Sequence, residues 1–263
     1  MNNHLENIIE NGEIGEYWLI IDKFYHPKFY KSDYPDHLIS FLKSFNAHKI
    51  LDVSCGIGFP SIELIKRGFP LVCSDGSESM LKVFARRIKE EKLDVPFYHC
   101  KWFELPEKIK DKFDTILCLD SSITHVDSWG LEDEFDIEKA KENIQKSINA
   151  FYKMLNSGGH VVIGLGKYAF GLKQSETIDY GSLIIDSKEI QHKWIFEFDY
   201  VSKKKTWHTI FILDGKEYKR TFFSYMLTGD EMEDMLKVAG FSDITIKEIV
   251  SGEYDKNFIA VKK

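Results

Sequence analysis

From residue 49 onward the chain alternates two hydrophobic rhythms. Short apolar runs fall at residues 49–53, 70–74, 96–100, 115–119 and 160–165. Between them lie longer stretches, such as 61–67, 79–91 and 137–155, whose apolar positions recur at helical spacing. A short apolar run bounded by turn signals suits a buried strand, and the longer spacing suits an amphipathic helix. Strand and helix in alternation predict a parallel sheet covered on both faces. Asn156-Ser157-Gly158-Gly159 predicts a stop for the long helix and a turn into the fifth strand.

After Gly171 the rhythm changes. Residues 182–185, 194–201, 206–213 and 218–225 are rich in β-branched and aromatic side chains, with turn signals such as Asp214-Gly215 between them. They predict an antiparallel β insertion. Thr228-Gly229-Asp230-Glu231 then opens a helix carrying Met232, Met235, Leu236 and Val238 that stops at Gly240. Two last strands, 244–249 and 258–261, are expected to close the sheet. Ahead of the first strand, Tyr17, Trp18, Phe24, Tyr25, Phe29, Tyr30 and Tyr34 stud a helical lead-in. The expected division is a lead-in or lid over 1–46, a Rossmann-like core over 47–170, the insertion over 171–226, and completion of the core sheet over 227–263.

Composition narrows the partners. The 263 residues suit one elaborated α/β domain. A net charge of −7 argues against a nucleic-acid backbone, which needs a concentrated basic face. The one tight basic run, Lys203-Lys204-Lys205, reads as a solvated hairpin turn. No stretch approaches the ~20 apolar residues of a membrane span, and the first residues lack the pattern of a signal peptide. Cys55, Cys73, Cys100 and Cys118 stand at no metal-ligand spacing and read as reduced thiols of a cytoplasmic protein. The nine histidines are scattered, so no metal is expected. The 14% aromatic share fits either an aromatic-lined pocket or a Phe-rich core.

The densest chemistry follows the first strand. Leu51-Asp52-Val53-Ser54-Cys55-Gly56-Ile57-Gly58 leads into a helix, so small residues let the backbone pass beneath a ligand while the helix end offers free N–H donors. Asp75, 23 residues beyond Asp52 at the end of the next strand, suits the two hydroxyls of an adenosine ribose. A nicotinamide or flavin site wants a third glycine where Ser61 stands. Asp52, four residues before Gly56, fits a ligand without a pyrophosphate.

Four segments in order then resemble one family: the Leu51–Gly58 run, Ser74-Asp75-Gly76-Ser77-Glu78-Ser79-Met80-Leu81, Lys101-Trp102, and Cys118-Leu119-Asp120-Ser121-Ser122-Ile123-Thr124-His125. The chain resembles the class I S-adenosylmethionine-dependent methyltransferases, most of all the glycine/sarcosine N-methyltransferase branch, over about residues 49–165. The resemblance implies a seven-stranded sheet with the last strand antiparallel, S-adenosyl-L-methionine as cofactor, and methyl transfer to a small-molecule amine. It implies Ser54 and Gly56 at the methionine moiety, Asp75 on the ribose, Gly76 and Ser77 beside the adenosine, and Lys101 and Trp102 flanking the adenine. The Leu119 backbone would reach the methionine ammonium. His125 would stand near the reacting sulfur, though a surface or capping histidine fits the same place, and Tyr168 keeps its family position.

One departure bears on the acceptor. The glycine-methylating branch carries a carboxylate-clamping arginine at the end of strand five, and this chain has Gly166 there, followed by Lys167. Lysine lacks the two-pronged geometry of arginine. The expected acceptor is therefore a small amine other than free glycine, beneath the insertion, with Tyr17, Trp18 and Tyr25 as contacts. The lead-in aromatics equally suit a cover for one sheet edge. Lys167 and Arg220 are the only candidate cations to hold any acceptor carboxylate, and a solvent-facing residue on a hairpin is the commoner reading of Arg220. An oxygen or sulfur acceptor, or a non-catalytic donor-binding protein, would share every cofactor motif. Oligomeric state stays open.

Overall fold

The computed structural model describes residues 4–30, 33–127, 135–171, 173–250 and 254–263. Three helices lead in: α1 (His4–Asn11), α2 (Ile14–Phe29) and α3 (Tyr34–Lys43). There follow β1 (Ile50–Asp52), α4 (Ser61–Lys66), β2 (Leu71–Asp75), α5 (Glu78–Glu90), β3 (Phe97–His99), the short α6 (Leu105–Lys108) and β4 (Phe113–Cys118). Then α7 (Ile137–Met154) runs into β5 (Leu155–Gly166), with 3-10 turns at Trp102–Glu104, Ser122–His125 and Lys167–Phe170. Four strands come next: β6 (Ser175–Ile185), β7 (Lys188–Asp199), β8 (Lys204–Leu213) and β9 (Lys216–Tyr225). The chain closes with α8 (Gly229–Ala239), β10 (Phe241–Lys247) and β11 (Asp255–Lys262).

Seven strands form one sheet in the order β10-β11-β5-β4-β1-β2-β3. Strands β1 to β5 pair in parallel, and β11 is antiparallel to both its neighbours, β5 and β10. Adjacent residues of a strand point to opposite faces, and two cores result. Ile50, Leu117 and Val162 pack with Leu38, Leu64 and Phe84 of α3, α4 and α5. Their neighbours Leu51, Ile116 and Val161 pack with Ile144, Ile148 and Phe151 of α7 and Leu236 of α8. Helix α8 starts on a reciprocal cap between Thr228 and Glu231, and ends at Gly240 with φ of 98°.

Two expectations about local structure are corrected. The 156–159 segment is a bulge inside β5, because Phe113 pairs with Leu155 and Thr115 with His160, leaving the extra residues looped out. Strand β3 is an exposed edge, with Phe97 and Tyr98 in solvent.

The remaining strands form a separate antiparallel sheet, β6-β7-β8-β9. Alternation buries Ile190, His192, Trp194, Phe196 and Phe198 of β7 on one face. Trp207, Thr209 and Phe211 of β8 join them through direct pairing, for example Phe196 with Trp207. Helix α2 packs against this face: the Trp18 ring stacks on Trp194 at 6.3 Å between centroids, and Tyr17 bonds the Thr209 hydroxyl. The second sheet and α2 thus pack face to face.

Candidate active site

In an open parallel sheet, ligands bind outside the carboxyl ends of the strands where strand order reverses. Here that point lies between β1 and β4, and a cavity opens there. The loop after β1 is braced by buried Asp52, which accepts the Ser54 N–H at 3.0 Å and the Ser61 hydroxyl. Gly56 adopts φ of 50°, and a Cβ on it would meet nothing within 4 Å, so the backbone itself forms the wall. Asp75 gathers the Gly56 N–H at 2.9 Å and the Ser77 N–H at 2.8 Å on separate oxygens. Burial raises its carboxyl to about 6 against those bonds.

Ser54, Gly56, Asp75, Gly76, Lys101 and Trp102 all border this cavity. The Trp102 indole N–H is held by the Val53 carbonyl at 2.5 Å. Two candidates sit differently. Ser77 caps α5, its hydroxyl accepting from the Met80 N–H, and faces a shallower groove. Leu119 is buried behind the wall, donating its N–H to the Ser54 hydroxyl at 3.2 Å while its carbonyl accepts from Ser122.

The far side of the cavity is built where β4, β5 and β11 converge. Asp120 and Ser121 leave β4 with positive φ of 56° and 54°, a conformation that side-chain-bearing residues adopt at a cost. The Ser121 hydroxyl accepts the Gly166 N–H at 2.7 Å and donates to Asp255 at 3.1 Å, tying three strand ends together. The other Asp255 oxygen, Oδ2, is buried with no hydrogen-bond partner. Asp120 accepts from the Tyr30 hydroxyl. His125 is buried under Trp207, ring centroids 5.8 Å apart, and burial with nearby Lys205 pushes it well below the ordinary histidine range. Tyr168 is buried and holds its proton more tightly than a free phenol.

Trp18 and Tyr25 reach the cavity from α2. Tyr17 does not: it lies against the second sheet, and burial lifts its phenol to about 12. Lys167 and Arg220 are corrected as acceptor cations. Lys167 points outward to Glu248, 3.5 Å away. Arg220 donates to the carbonyls of Ile8, Ile9 and Gly12, closing the C-terminal end of α1. The reading of Lys203-Lys204-Lys205 as one solvated turn is also overturned. Lys203 is at the turn, Lys204 lies over the Phe223 ring at 3.7 Å, and Lys205 faces inward, 2% exposed, on the cavity wall. The missed signal was phase, since Lys205 shares parity with Trp207, Thr209 and Phe211. Asp255 was missed because nothing local marks it; its pairing with Gly166 brings it to the site.

These features meet what known proteins show. A methyltransferase domain profile matches residues 50–159. With the sheet order and the donor-side loop, it supports a class I S-adenosylmethionine-dependent methyltransferase, an enzyme whose methyl donor is S-adenosylmethionine. The chain is similar to the glycine/sarcosine N-methyltransferase of Aphanothece halophytica, 27% identical over 216 residues, 80% of this chain and 72% of that protein. It is 31% identical to the glycine N-methyltransferase of Rattus norvegicus over 147 residues, 53% of this chain and 47% of that one. Among solved structures, a methyltransferase from Clostridium acetobutylicum ATCC 824 superposes with a TM-score of 0.71 at 17% identity, covering 95% of this chain and 98% of that one. An amino pentose methyltransferase from Micromonospora echinaspora gives 0.73 at 14%, covering 93% and 97%.

The residues present fit the donor. Gly56 leaves open space where a Cβ would stand, a Cβ on Gly76 would meet only the Cys100 carbonyl at 4.0 Å, and the Asp75 carboxylate borders the same cavity. Among the described residues no helix is long and apolar enough to cross a membrane, and no cluster of metal-ligating side chains occurs.

Proposed function

We propose that this enzyme transfers the methyl group to the nitrogen of a small amine other than free glycine, held between the strand ends and the β6–β9 roof. The observation that carries this reading is the acceptor-side wall. The carboxylates of Asp120 and Asp255 lie there with the indoles of Trp194 and Trp207, and none of the four arginines borders the cavity among the described residues. Carboxylates and ring faces both favour an ammonium. N-methyltransferases among the relatives, and an amino pentose methyltransferase among similar folds, agree with a nitrogen acceptor.

In this reading Asp75 holds the ribose, Lys101 and Trp102 flank the adenine, and Gly76 borders the adenosine, while Ser77 steadies Asp75 through its N–H. Ser54 and Gly56 line the methionine end, with Leu119 bracing Ser54 from behind. The donor supplies a methyl on a positively charged sulfur, so the chain's work is alignment, with the nucleophile at about 3–3.5 Å, and exclusion of water. His125 and Tyr168 border the acceptor, and Trp18 and Tyr25 close it from α2. Residues 1–46 act as lid, 47–170 with 227–263 as donor-binding core, and 171–226 as roof. The buried thiols Cys55, Cys73, Cys100 and Cys118 suit a cytoplasmic setting, and the charge of −7 suits a small-molecule partner.

The test is label transfer from methyl-labelled donor to glycine, sarcosine, ethanolamine and glucosamine, beside hydroxyl and thiol counterparts. Label should reach nitrogen of an amine larger than glycine. Efficient glycine methylation, or label on oxygen or sulfur, would overturn the reading; donor binding without turnover would make the chain a binding protein.

A further inference from the structure

Lysine is among the residues least often buried, yet Lys205 of β8 is 2% exposed at the acceptor side of the cavity. Its Nζ donates to the Tyr168 hydroxyl at 3.1 Å and the Thr124 hydroxyl at 3.2 Å, and lies 4.8 Å from the Tyr168 ring centroid. These partners are hydroxyls, and among the described residues no carboxylate pairs with Lys205 to offset the desolvation of an ammonium. Burial brings Lys205 down to about 7, with Asp255 pulling the other way through space. A neutral amine has two N–H bonds and one lone pair. Tyr168 and Thr124 take both hydrogens, which leaves the lone pair as the free direction of a nitrogen on the cavity wall.

Of the other titratable groups facing this space, Asp120 already accepts from the Tyr30 hydroxyl, Tyr25 and Tyr254 are raised by burial and stay protonated, and three more serve less well as bases. His125, on the turn after β4, is pushed well below its usual range by burial and by Lys205 itself. Tyr168, on the turn after β5, is raised by burial and stays protonated. Asp255, at the start of β11, is raised to about 6, and one of its oxygens is engaged by Ser121. An aliphatic acceptor amine arrives protonated at neutral pH, because such groups titrate near about 10, and it must shed that proton before it can attack.

Resting on the amine reading above, we propose that Lys205 takes the proton from the acceptor's ammonium, with Tyr168 and Thr124 as positioning residues that hold its lone pair toward the cavity. The ammonium N–H breaks and the proton joins Lys205 Nζ, giving a neutral acceptor amine and a lysine ammonium. The acceptor lone pair then forms the new C–N bond while the C–S bond breaks with its electron pair to sulfur. Lys205 returns the proton to water after the methylated ammonium leaves.

Two measurements test this on the whole chain. Protein carrying 13Cε-lysine, saturated with S-adenosylhomocysteine, is titrated by NMR; one lysine signal, absent from Lys205→Met, should titrate near pH 7. A Lys205 signal still charged at pH 9 overturns the proposal. Turnover against pH is followed with whichever acceptor takes label. Wild type should show an acidic limb near 7. Lys205→Met and the permanently charged Lys205→Arg should lose that limb and roughly 100-fold or more in kcat, while S-adenosylhomocysteine affinity holds. Thr124→Val, which keeps the lysine, should move the limb without removing it. An unchanged limb in Lys205→Met overturns the proton role. Label on oxygen or sulfur with the limb still tied to Lys205 would defeat the amine reading and retain the lysine as base.

Discussion

Gly166 stands so close to Tyr168 that a Cβ on it would lie 2.4 Å from Cε1 of that ring and 2.9 Å from Cε1 of Tyr254. The missing arginine at this position is therefore more than a lost side chain: two aromatic rings occupy the space it would need. We expect Gly166→Arg to gain no glycine methylation and to lose stability, by about 1–3 kcal/mol for the forced displacement of packed rings. Thermal melts and glycine label transfer check this together. A stable variant that methylates glycine would mean the rings yield easily and the acceptor class is set elsewhere.

Arg220 fills a structural post. Its guanidinium lies 4.0 Å over the Tyr17 ring and donates to three carbonyls at the end of α1. Arg220→Ala should weaken the attachment of α1 to the roof, at about 1.5–3 kcal/mol for a lost charged hydrogen-bonding group. Hydrogen exchange in α1 should rise, while the acceptor KM stays near wild type. A large KM change with α1 still protected would return Arg220 to the acceptor site.

The donor half of the site was legible because its chemistry is local. A strand, a glycine turn and a helix start follow one another, and Asp75 ends the next strand, so order in sequence is order in space. The acceptor half is assembled from β4, β5, β8 and β11, which only tertiary pairing brings together. Asp255 is reached through its register with Gly166, and Lys205 through strand parity that a run of three lysines masked. Arg220 misled because an arginine on a hairpin offers no sequence sign that carbonyls of α1 await it. The 156–159 bulge misled for a related reason: Gly158 at φ of 78° serves a looped-out strand as well as a helix cap.

His125 separates two kinds of contribution. Already neutral through burial, it brings shape and an aromatic contact with Trp207 to the acceptor wall. His125→Asn should therefore lower kcat by about tenfold through misplacement of the acceptor, keep donor affinity, and leave the acidic limb of the pH profile in place. Loss of the limb in this variant, with Lys205 intact, would make the histidine the base.

Asp75 should make donor affinity depend on pH in a direction opposite to its effect on folding. Burial raises its carboxyl from 3.8 to about 6, so the free folded chain holds that proton more tightly than the unfolded chain does. The stability this lends is complete below pH 3.8 and is lost as pH rises through about 6; Asp52 and Asp255, raised to about 6 by burial as well, act in the same sense. Ribose hydroxyls, by contrast, donate to the ionised carboxylate, so binding should strengthen over the same window. Calorimetry with S-adenosylhomocysteine should find affinity roughly tenfold weaker at pH 5 than at pH 7.5, since one unit below the folded value only about a tenth of the carboxyl is ionised. Asp75→Asn should weaken binding by about 1.5–3 kcal/mol at pH 7.5. The amide would also turn an N–H toward either the Gly56 or the Ser77 N–H, each of which now donates to its own carboxylate oxygen. The pH slope should flatten in the variant. A folded Asp75→Asn protein with wild-type affinity and an unchanged slope would remove Asp75 from the ribose and leave it only the task of shaping the loop around Gly56.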